Sequence, residues 1–423
     1  MRGISRKSAE CVALGAIAFL LSGALQVLIA SGNMATDGDR RYEAMLAVIY
    51  FAVAAIGAVH FGLTRYSALH TPALLGLLIL AFLSAAWSQA PGLVMRRSIG
   101  LAGASLFGIV FGSALTVSDQ LNVLRWVFRI TAALSLAMVI VSPVHGISSS
   151  MEAGAWRGVF IHKNGLGGAM ALATLVEWLR PTSARVSKIL KVAWLGLYGV
   201  LLLKSNSITA ALAIVLALVI LYVLRICHGQ YRVPLPALIA TLLFVGAFLY
   251  EGKASITTAL GRSSDITGRT ELWHWVVAMI FRRPWLGYGF SGFWRGGSSE
   301  YATVERMIGW SPMYSHNGYL EILLSLGLAG LLLFASMAVV GLRRAFIQAQ
   351  NARSAQDYWP LAFLLYFLVH NLGECTILWQ NSLEWALCVS VAVCADPVLR
   401  AAWKPDDLSQ TEVAVASTAE YAL

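Results

Sequence analysis

Trp310-Ser311-Pro312-Met313-Tyr314-Ser315-His316-Asn317-Gly318-Tyr319-Leu320-Glu321 runs without a pause into Ile322-Leu323-Leu324-Ser325-Leu326-Gly327-Leu328-Ala329-Gly330-Leu331-Leu332-Leu333-Phe334. The first part is a polar, aromatic loop broken by proline and glycine. The second is an apolar run which, taken over 319–342, exceeds the roughly 20 residues a helix needs to cross a bilayer. His316 therefore falls where the chain passes from water into lipid. An imidazole held at that boundary is placed for acid–base chemistry on a substrate whose other end is lipid. The alternative reading is an interfacial histidine bonded to backbone.

Bulk composition agrees with that segment. The 423 residues are 58% hydrophobic and 12% charged, with a mean hydropathy of +0.71, whereas soluble chains carry about a quarter charged residues. Further apolar runs fall near 11–30, 43–61, 71–87, 98–117, 127–143, 164–179, 192–204, 208–225, 233–250, 359–377 and 382–399. Uninterrupted runs of this length indicate helices rather than the alternating strands of a barrel, about ten residues each. The expected fold is an all-α integral membrane protein of about 12 transmembrane helices, with one long periplasmic loop carrying short helices. Residues 1–400 form the polytopic domain, with the periplasmic catalytic loop at about 251–318, and 401–423 form a disordered cytoplasmic tail. The first run follows Arg2, Arg6 and Lys7 but is too long for a signal peptide, so it is read as a retained helix. Placing the N-terminus inside assigns seventeen Lys and Arg to inner loops and seven to short outer loops. Both termini are then cytoplasmic, and the net charge of +10 is a topology signal rather than a nucleic-acid footprint. None of Cys11, Cys227, Cys375, Cys388 and Cys394 lies in a Cys-x-x-Cys pair, so neither a disulfide framework nor a structural metal is indicated.

Within the long loop, Leu272-Trp273-His274-Trp275-Val276-Val277-Ala278-Met279-Ile280-Phe281 reads as a short helix with one apolar face. Asp265 or Thr267 could cap it, Glu271 suits its first turn, and Arg282, Arg283 and Pro284 end it. Trp285-Leu286-Gly287-Tyr288-Gly289-Phe290-Ser291-Gly292-Phe293-Trp294 interleaves glycines with aromatics. That composition fits an aromatic membrane belt and a sugar-binding platform equally.

Three outer-face clusters set a basic residue beside Gly, Asn or His. They are Trp156-Arg157-Gly158-Val159-Phe160-Ile161-His162-Lys163-Asn164-Gly165, Thr267-Gly268-Arg269-Thr270-Glu271-Leu272-Trp273, and Ser315-His316-Asn317-Gly318-Tyr319. Basic residues there run against the positive-inside trend, and an anionic substrate at the membrane surface supplies a reason, because guanidinium forks bind phosphate oxygens in pairs. Lone arginines snorkelling to headgroups are the alternative. No paired acidic motif offers a divalent metal site beside a pyrophosphate, so metal-free chemistry is preferred. His370-Asn371-Leu372-Gly373-Glu374 and Glu384 lie in span-like context as functional candidates or as a hydrogen-bonded structural pair. Lys204-Ser205-Asn206-Ser207 reads as an outer turn near the same vestibule.

These residues resemble a known family. Ser315-His316-Asn317-Gly318-Tyr319-Leu320-Glu321 followed by Leu326-Gly327-Leu328-Ala329-Gly330-Leu331 is similar to the signature of the O-antigen ligase and polysaccharide-polymerase superfamily. So are Gly268-Arg269-Thr270-Glu271-Leu272-Trp273, Arg283-Pro284-Trp285-Leu286-Gly287-Tyr288-Gly289 and Arg157-Gly158-Val159-Phe160-Ile161-His162-Lys163-Asn164. Ala86-Trp87-Ser88-Gln89-Ala90-Pro91 before Arg96-Arg97-Ser98 resembles the exopolysaccharide (succinoglycan-type) polymerase branch.

The resemblance implies a metal-independent, cofactor-free glycosyltransferase of the bacterial inner membrane, acting on the periplasmic face. Its donor would be an oligosaccharide on undecaprenyl pyrophosphate. Its acceptor would be a lipid-linked repeat unit in a polymerase, or lipid A–core in a ligase. By the same carry-over, His316 activates the acceptor hydroxyl, Arg157 and Arg269 hold the pyrophosphate, and Asn317 and Tyr319 of the histidine motif contact substrate. Lys163 is added from its place beside the matching motif. Partners would be membrane lipid and the chain-length regulator and flippase of the same pathway, with no nucleic acid. A polysaccharide or solute transporter is the remaining alternative, but no internal repeat is visible and the polar chemistry gathers on one face.

Overall fold

The computed structural model describes residues 6–24, 40–149, 154–182, 184–226, 269–295 and 298–394. The span expected near 233–250, the capping residues Asp265 and Thr267, Cys227 and the tail 401–423 lie outside the described residues. The described chain is helical: α1 (Arg6–Leu21), α2 (Arg40–Val59), α3 (Phe61–Leu69), α4 (Pro72–Leu83), α5 (Pro91–Ala114), α6 (Val117–Val141), α7 (Lys163–Leu179), α8 (Arg185–Lys204) and α9 (Ile208–Ile226). Then come α10 (Arg269–Arg282), α11 (Ser299–Ile308), α12 (Gly318–Gln350), α13 (Trp359–His370) and α14 (Leu383–Cys394).

Five of the described helices are long and apolar enough to span a bilayer, or up to six if the pair α3 and α4, bent by 82°, counts as one. Apolar side chains also point away from the protein. Phe51 is 78% and Leu203 74% exposed, and only 11% of the apolar window of α8 is buried. A helix with an uncovered apolar surface is one solvated by lipid. Among the described residues the architecture is all-helical, consistent with a membrane protein. Several helices fall short of the expected spans. The expected run 359–377 becomes α13, which stops at His370 and gives way to turns before α14.

The core is built around α5 and α14. Gly108 and Gly112 sit one turn apart on α5, and a Cβ on either would press into the Ala386 or Ser390 carbonyl of α14. Small residues at this spacing let two backbones approach closely inside a membrane. Buried Trp385 donates its indole N–H to the Ser105 hydroxyl at 2.9 Å and locks the register of the pair.

The long apolar run after His316 is not one continuous helix. Gly327 has φ +64° and ψ −162°, and it breaks the hydrogen-bond ladder of α12. The Pro284–Gly289 segment inserts at the break and replaces the missing bonds. Leu328 N donates to Pro284 O (2.7 Å) and Ala329 N to Trp285 O (3.2 Å), while Tyr288 N donates to Leu324 O (2.9 Å) and Gly289 N to Ser325 O (3.0 Å). Freed backbone groups at membrane depth must be satisfied by protein, because lipid offers no partners. The glycine-aromatic stretch is therefore a backbone splint for α12, and its rings Tyr288, Phe293 and Trp294 pack with α10 and α11 into a small apolar cluster of their own.

A Cβ at Gly327 would collide with the Trp285 carbonyl, and its φ/ψ is one that other residues reach only with strain. Gly327→Ala is expected to lower the thermal midpoint of the detergent-solubilised protein by an amount matching about 2 kcal/mol or more. Gly199→Ala, in α8 with open space around the new methyl, should be neutral or slightly stabilising. Equal midpoints for both variants would refute the splint.

Candidate active site

The histidine motif enters α12 through a capped turn. Asn317 is the N-cap, and its side-chain oxygen accepts from Tyr319 N at 3.0 Å and Leu320 N at 3.1 Å. The Asn317 amide donates to Leu372 O at 3.2 Å, and the Tyr319 hydroxyl donates to Leu368 O at 2.8 Å. Gly318 N donates to both Asn371 O and Glu374 O, each at 2.9 Å. A side chain at Gly318 would strike the Asn371 carboxamide, so only glycine lets the two turns meet.

The turn after α13 is the receiving surface. Buried Asn371 accepts from Thr376 N (2.8 Å) and Ile377 N (3.0 Å) and donates to Phe367 O (2.8 Å) and the Thr376 hydroxyl (2.8 Å). All its hydrogen-bonding groups are engaged, and this fixes the path of 371–377. Arg269, at the start of α10, reaches the same turn, donating to Gly373 O at 2.7 Å and to Glu374 Oε1 at 3.3 Å. Asn164, at the start of α7, donates to that same Glu374 oxygen at 2.6 Å. Residues from all three basic clusters are thus tied to one short segment.

His316 has φ +54°, in the left-handed region. Its ring lies 4.2 Å from that of Tyr314 and 6.5 Å from that of Trp310, and Tyr314 in turn meets Trp379 edge-on at 5.3 Å. Its Nδ1 is buried and has no hydrogen-bond partner among the described residues. Burial, then the Arg269 guanidinium, then His162 hold the imidazole well below the ordinary histidine value of 6.5. A neutral ring is the form that can accept a proton.

Beside this group lies a cavity of about 250 Å³. Tyr314, His162, Asn164, Glu374, Trp379 and Glu384 are among the side chains that line it. His370 Nδ1 stands 3.3 Å from Glu384 Oε2 at its wall. His370 and Glu384, read as span-interior groups, are at helix ends instead, where the 371–382 turns interrupt the apolar runs.

The structure brings together His316, Arg269, Asn317 and Tyr319 around the turn after α13. Lys163 is near the edge of this region, with its ammonium donating to Asn206 O at 3.5 Å. Arg157 is placed differently. Its guanidinium donates to His145 O at 2.8 Å and Val144 O at 3.3 Å, on the turn after α6, and it joins the cavity only through the loop that continues to Phe160 and His162. The Lys204–Ser207 turn does adjoin that loop, since Trp156 N donates to Lys204 O at 2.9 Å. Glu374 was among the candidates, but its partners Asn164 and Arg269 were not foreseen, and the Tyr314–Trp379 wall and Glu321 were given no role. The last accepts from Ser315 N and from the Trp294 indole, each at 2.8 Å, and so fixes the start of the histidine motif. Their signal was present in the polar interruption Asn371-Leu372-Gly373-Glu374-Cys375-Thr376 and in Glu321 one turn into an apolar helix.

Comparison with known proteins bears on what such a site does. Residues 192–335 match the protein family described as O-Antigen ligase. The chain is 25% identical over 320 residues to the exopolysaccharide production protein ExoQ of Rhizobium meliloti (strain 1021), covering 68% of this chain and 67% of that protein. It is 29% identical over 171 residues to a putative polysaccharide ligase of Rickettsia felis, covering 36% of this chain and 39% of that one. A putative polysaccharide ligase of Rickettsia conorii is 28% identical over 165 residues, with the same shares of 36% and 39%. These matches support the O-antigen ligase/exopolysaccharide polymerase superfamily, and a polysaccharide ligase or polymerase type of function with it.

The depressed imidazole has a pH consequence. Because the unfolded histidine binds its proton near 6.5 and the folded one only well below it, the unfolded state takes up more protons in that interval. Stability should therefore be undiminished above pH 6.5 and decline as the pH falls below it. Any activity that uses His316 as a base should keep its acid limb well below pH 6.5. Arg269→Gln should move that limb upward, and an acid limb unmoved by this change would separate the two residues.

Proposed function

Starting from the O-antigen ligase/exopolysaccharide polymerase superfamily, we propose that this protein is a polysaccharide polymerase of the bacterial inner membrane. It moves a growing glycan from undecaprenyl pyrophosphate to a hydroxyl of the next lipid-linked repeat unit. The observation that carries this reading is the half-buried imidazole of His316, its Nδ1 buried without a partner among the described residues and the Arg269 charge near it, at the mouth of a membrane helix and next to a polar cavity.

In this reaction the acceptor hydroxyl attacks the anomeric carbon while the bond from that carbon to the pyrophosphate oxygen breaks. The hydroxyl proton passes to His316. Negative charge gathering on the departing pyrophosphate is met by Arg269, with Lys163 at the edge of the site as a further cationic contact. Direct displacement inverts the anomeric centre. Glu374 holds the Arg269 fork in the plane it presents to the phosphates, and Asn317 and Tyr319 keep the turn in place and offer polar contacts to the sugar. The chemistry is carried by side chains and calls for no metal ion or cofactor. The excess of Lys and Arg on the opposite loops supports a periplasmic site with cytoplasmic termini. Flippase and chain-length regulator of the pathway are the expected neighbours.

The name shared by the Rickettsia relatives favours a second reading, a ligase with the same chemistry and lipid A–core as acceptor. A deletion strain separates the two: unpolymerised repeats mean a polymerase, and untransferred long lipid-linked chains mean a ligase.

Purified protein mixed with lipid-linked repeat units should yield longer glycans, with undiminished rate in the presence of a chelator. His316→Ala should lower that rate by about 100-fold or more while leaving the protein in the membrane. Arg269→Lys should fail nearly as badly, since an ammonium cannot make the forked contact. Full polymer length from His316→Ala would remove the residue from the mechanism, and a strict Mg²⁺ requirement would overturn the metal-free scheme.

A further inference from the structure

At the other end of α6 and α7 lies a second polar cavity of about 250 Å³. Arg125, Arg129, Glu177, Arg180, Thr182 and Ser187 line it, so α6, α7 and the start of α8 all contribute. Glu177 and Asn164 stand near opposite ends of α7, about 20 Å apart along the axis at 1.5 Å per residue, so this cavity is separate from the candidate active site.

Its charges do not balance. Three guanidiniums meet a single carboxylate in the lining. That carboxylate is already committed: Arg129 Nε donates to Glu177 Oε2 at 3.2 Å and Arg129 Nη2 to Glu177 Oε1 at 2.8 Å. Arg180 Nε donates to the Asn122 side-chain Oδ1 at 2.7 Å. Arg125 Nε is buried and has no hydrogen-bond partner among the described residues. The Trp126 ring lies against both neighbours, 5.4 Å from the Arg125 guanidinium and 5.7 Å from that of Arg129, and Trp194 lies 5.2 Å from Arg129 on another side. The cations are therefore held in place rather than free to swing apart. Crowded, partly desolvated like charges with an unmade donor are costly unless an anion offsets them.

We propose that this cavity binds a phosphate group. Planar guanidinium forks suit phosphate oxygens, and a phosphate has enough acceptors to take several forks and hydroxyls at once; Thr182 and Ser187 supply the hydroxyls. Two sources share that chemistry: the headgroup of an anionic phospholipid and a soluble phosphate compound. Basic pockets between membrane helices are a known form of headgroup site, and exposed Trp126 and Trp178 beside the cavity are typical of the lipid–water interface.

The test uses the full chain in phosphatidylcholine nanodiscs, with phosphatidylglycerol or soluble inorganic pyrophosphate added in turn and the thermal midpoint followed. A saturable rise is expected, and in Arg125→Gln the concentration giving half the rise should increase about tenfold or more, as for loss of one charge-assisted bond. Gly199→Ala, whose new methyl would meet nothing and which lies in neither site, should leave the rise unchanged. A rise with phosphatidylglycerol alone identifies the lipid headgroup, and a rise with pyrophosphate alone identifies a soluble ligand; either supports the site. No rise with either, or rises that Arg125→Gln leaves untouched, would overturn it. If Arg125→Gln does not fold, Thr182→Val takes its place with a several-fold weakening expected and the same overturning result.

Discussion

The candidate site depends on four residues of backbone, 371–374. Their carbonyls accept from the Gly318 amide, the Asn317 carboxamide and the Arg269 guanidinium, and the Glu374 carboxylate adds Arg269 again and Asn164. Segments separated by up to about two hundred residues converge there. The convergence is exacting because the contacts of Arg269 and Asn164 are partly buried, where a group left unpaired costs about 1–3 kcal/mol. Asn371 underwrites all of them. Its carboxamide closes the turn on itself, so the receiving carbonyls are held at fixed angles before anything docks against them.

The other constraint is the break in α12. A single continuous helix would have satisfied its own backbone and needed nothing from the rest of the chain. At Gly327 the ladder opens, and Pro284–Gly289 fills the gap bond for bond. This ties the segment that follows α10 to the helix that follows His316. Since Arg269 begins α10 and His316 precedes α12, the splint and the 371–374 turn hold the same two motifs from opposite sides. The Glu321 carboxylate contributes between them, bonding Ser315 N on one side and the Trp294 indole on the other.

Electrostatics divides the molecule in a similar way. Near His316, a cation and burial act together to keep an imidazole neutral, the state a proton acceptor requires. Near Glu177, three cations crowd one acid and leave a donor unmade, the state an anion relieves. The helices α6 and α7 run between the two places. A membrane protein that handles an anionic carrier at one surface and lodges an anion at the other would use the same residue, arginine, for different ends: to stabilise charge that develops during a reaction, and to seat charge that is permanent.

Much of this was legible in the residues alone. An apolar, weakly charged composition could only give membrane helices, because runs of about 20 apolar residues have no other stable solvent. Motif resemblance picked out His316, Arg269, Asn317 and the 157–164 loop, and the structure sets most of them around one turn. The sequence could not show that the apolar run after His316 is broken, because hydropathy is blind to a glycine whose φ is positive. Nor could it show that 359–377 stops at His370, since Asn371 and Glu374 are tolerated in a span-like pattern until their partners are known. Equally hidden was the position of Arg157, held by carbonyls of a neighbouring turn rather than by the segment that holds Arg269. Local chemistry and solvent preference are written residue by residue, whereas helix ends, breaks and shared cavities depend on which distant backbone groups arrive to complete the hydrogen bonds.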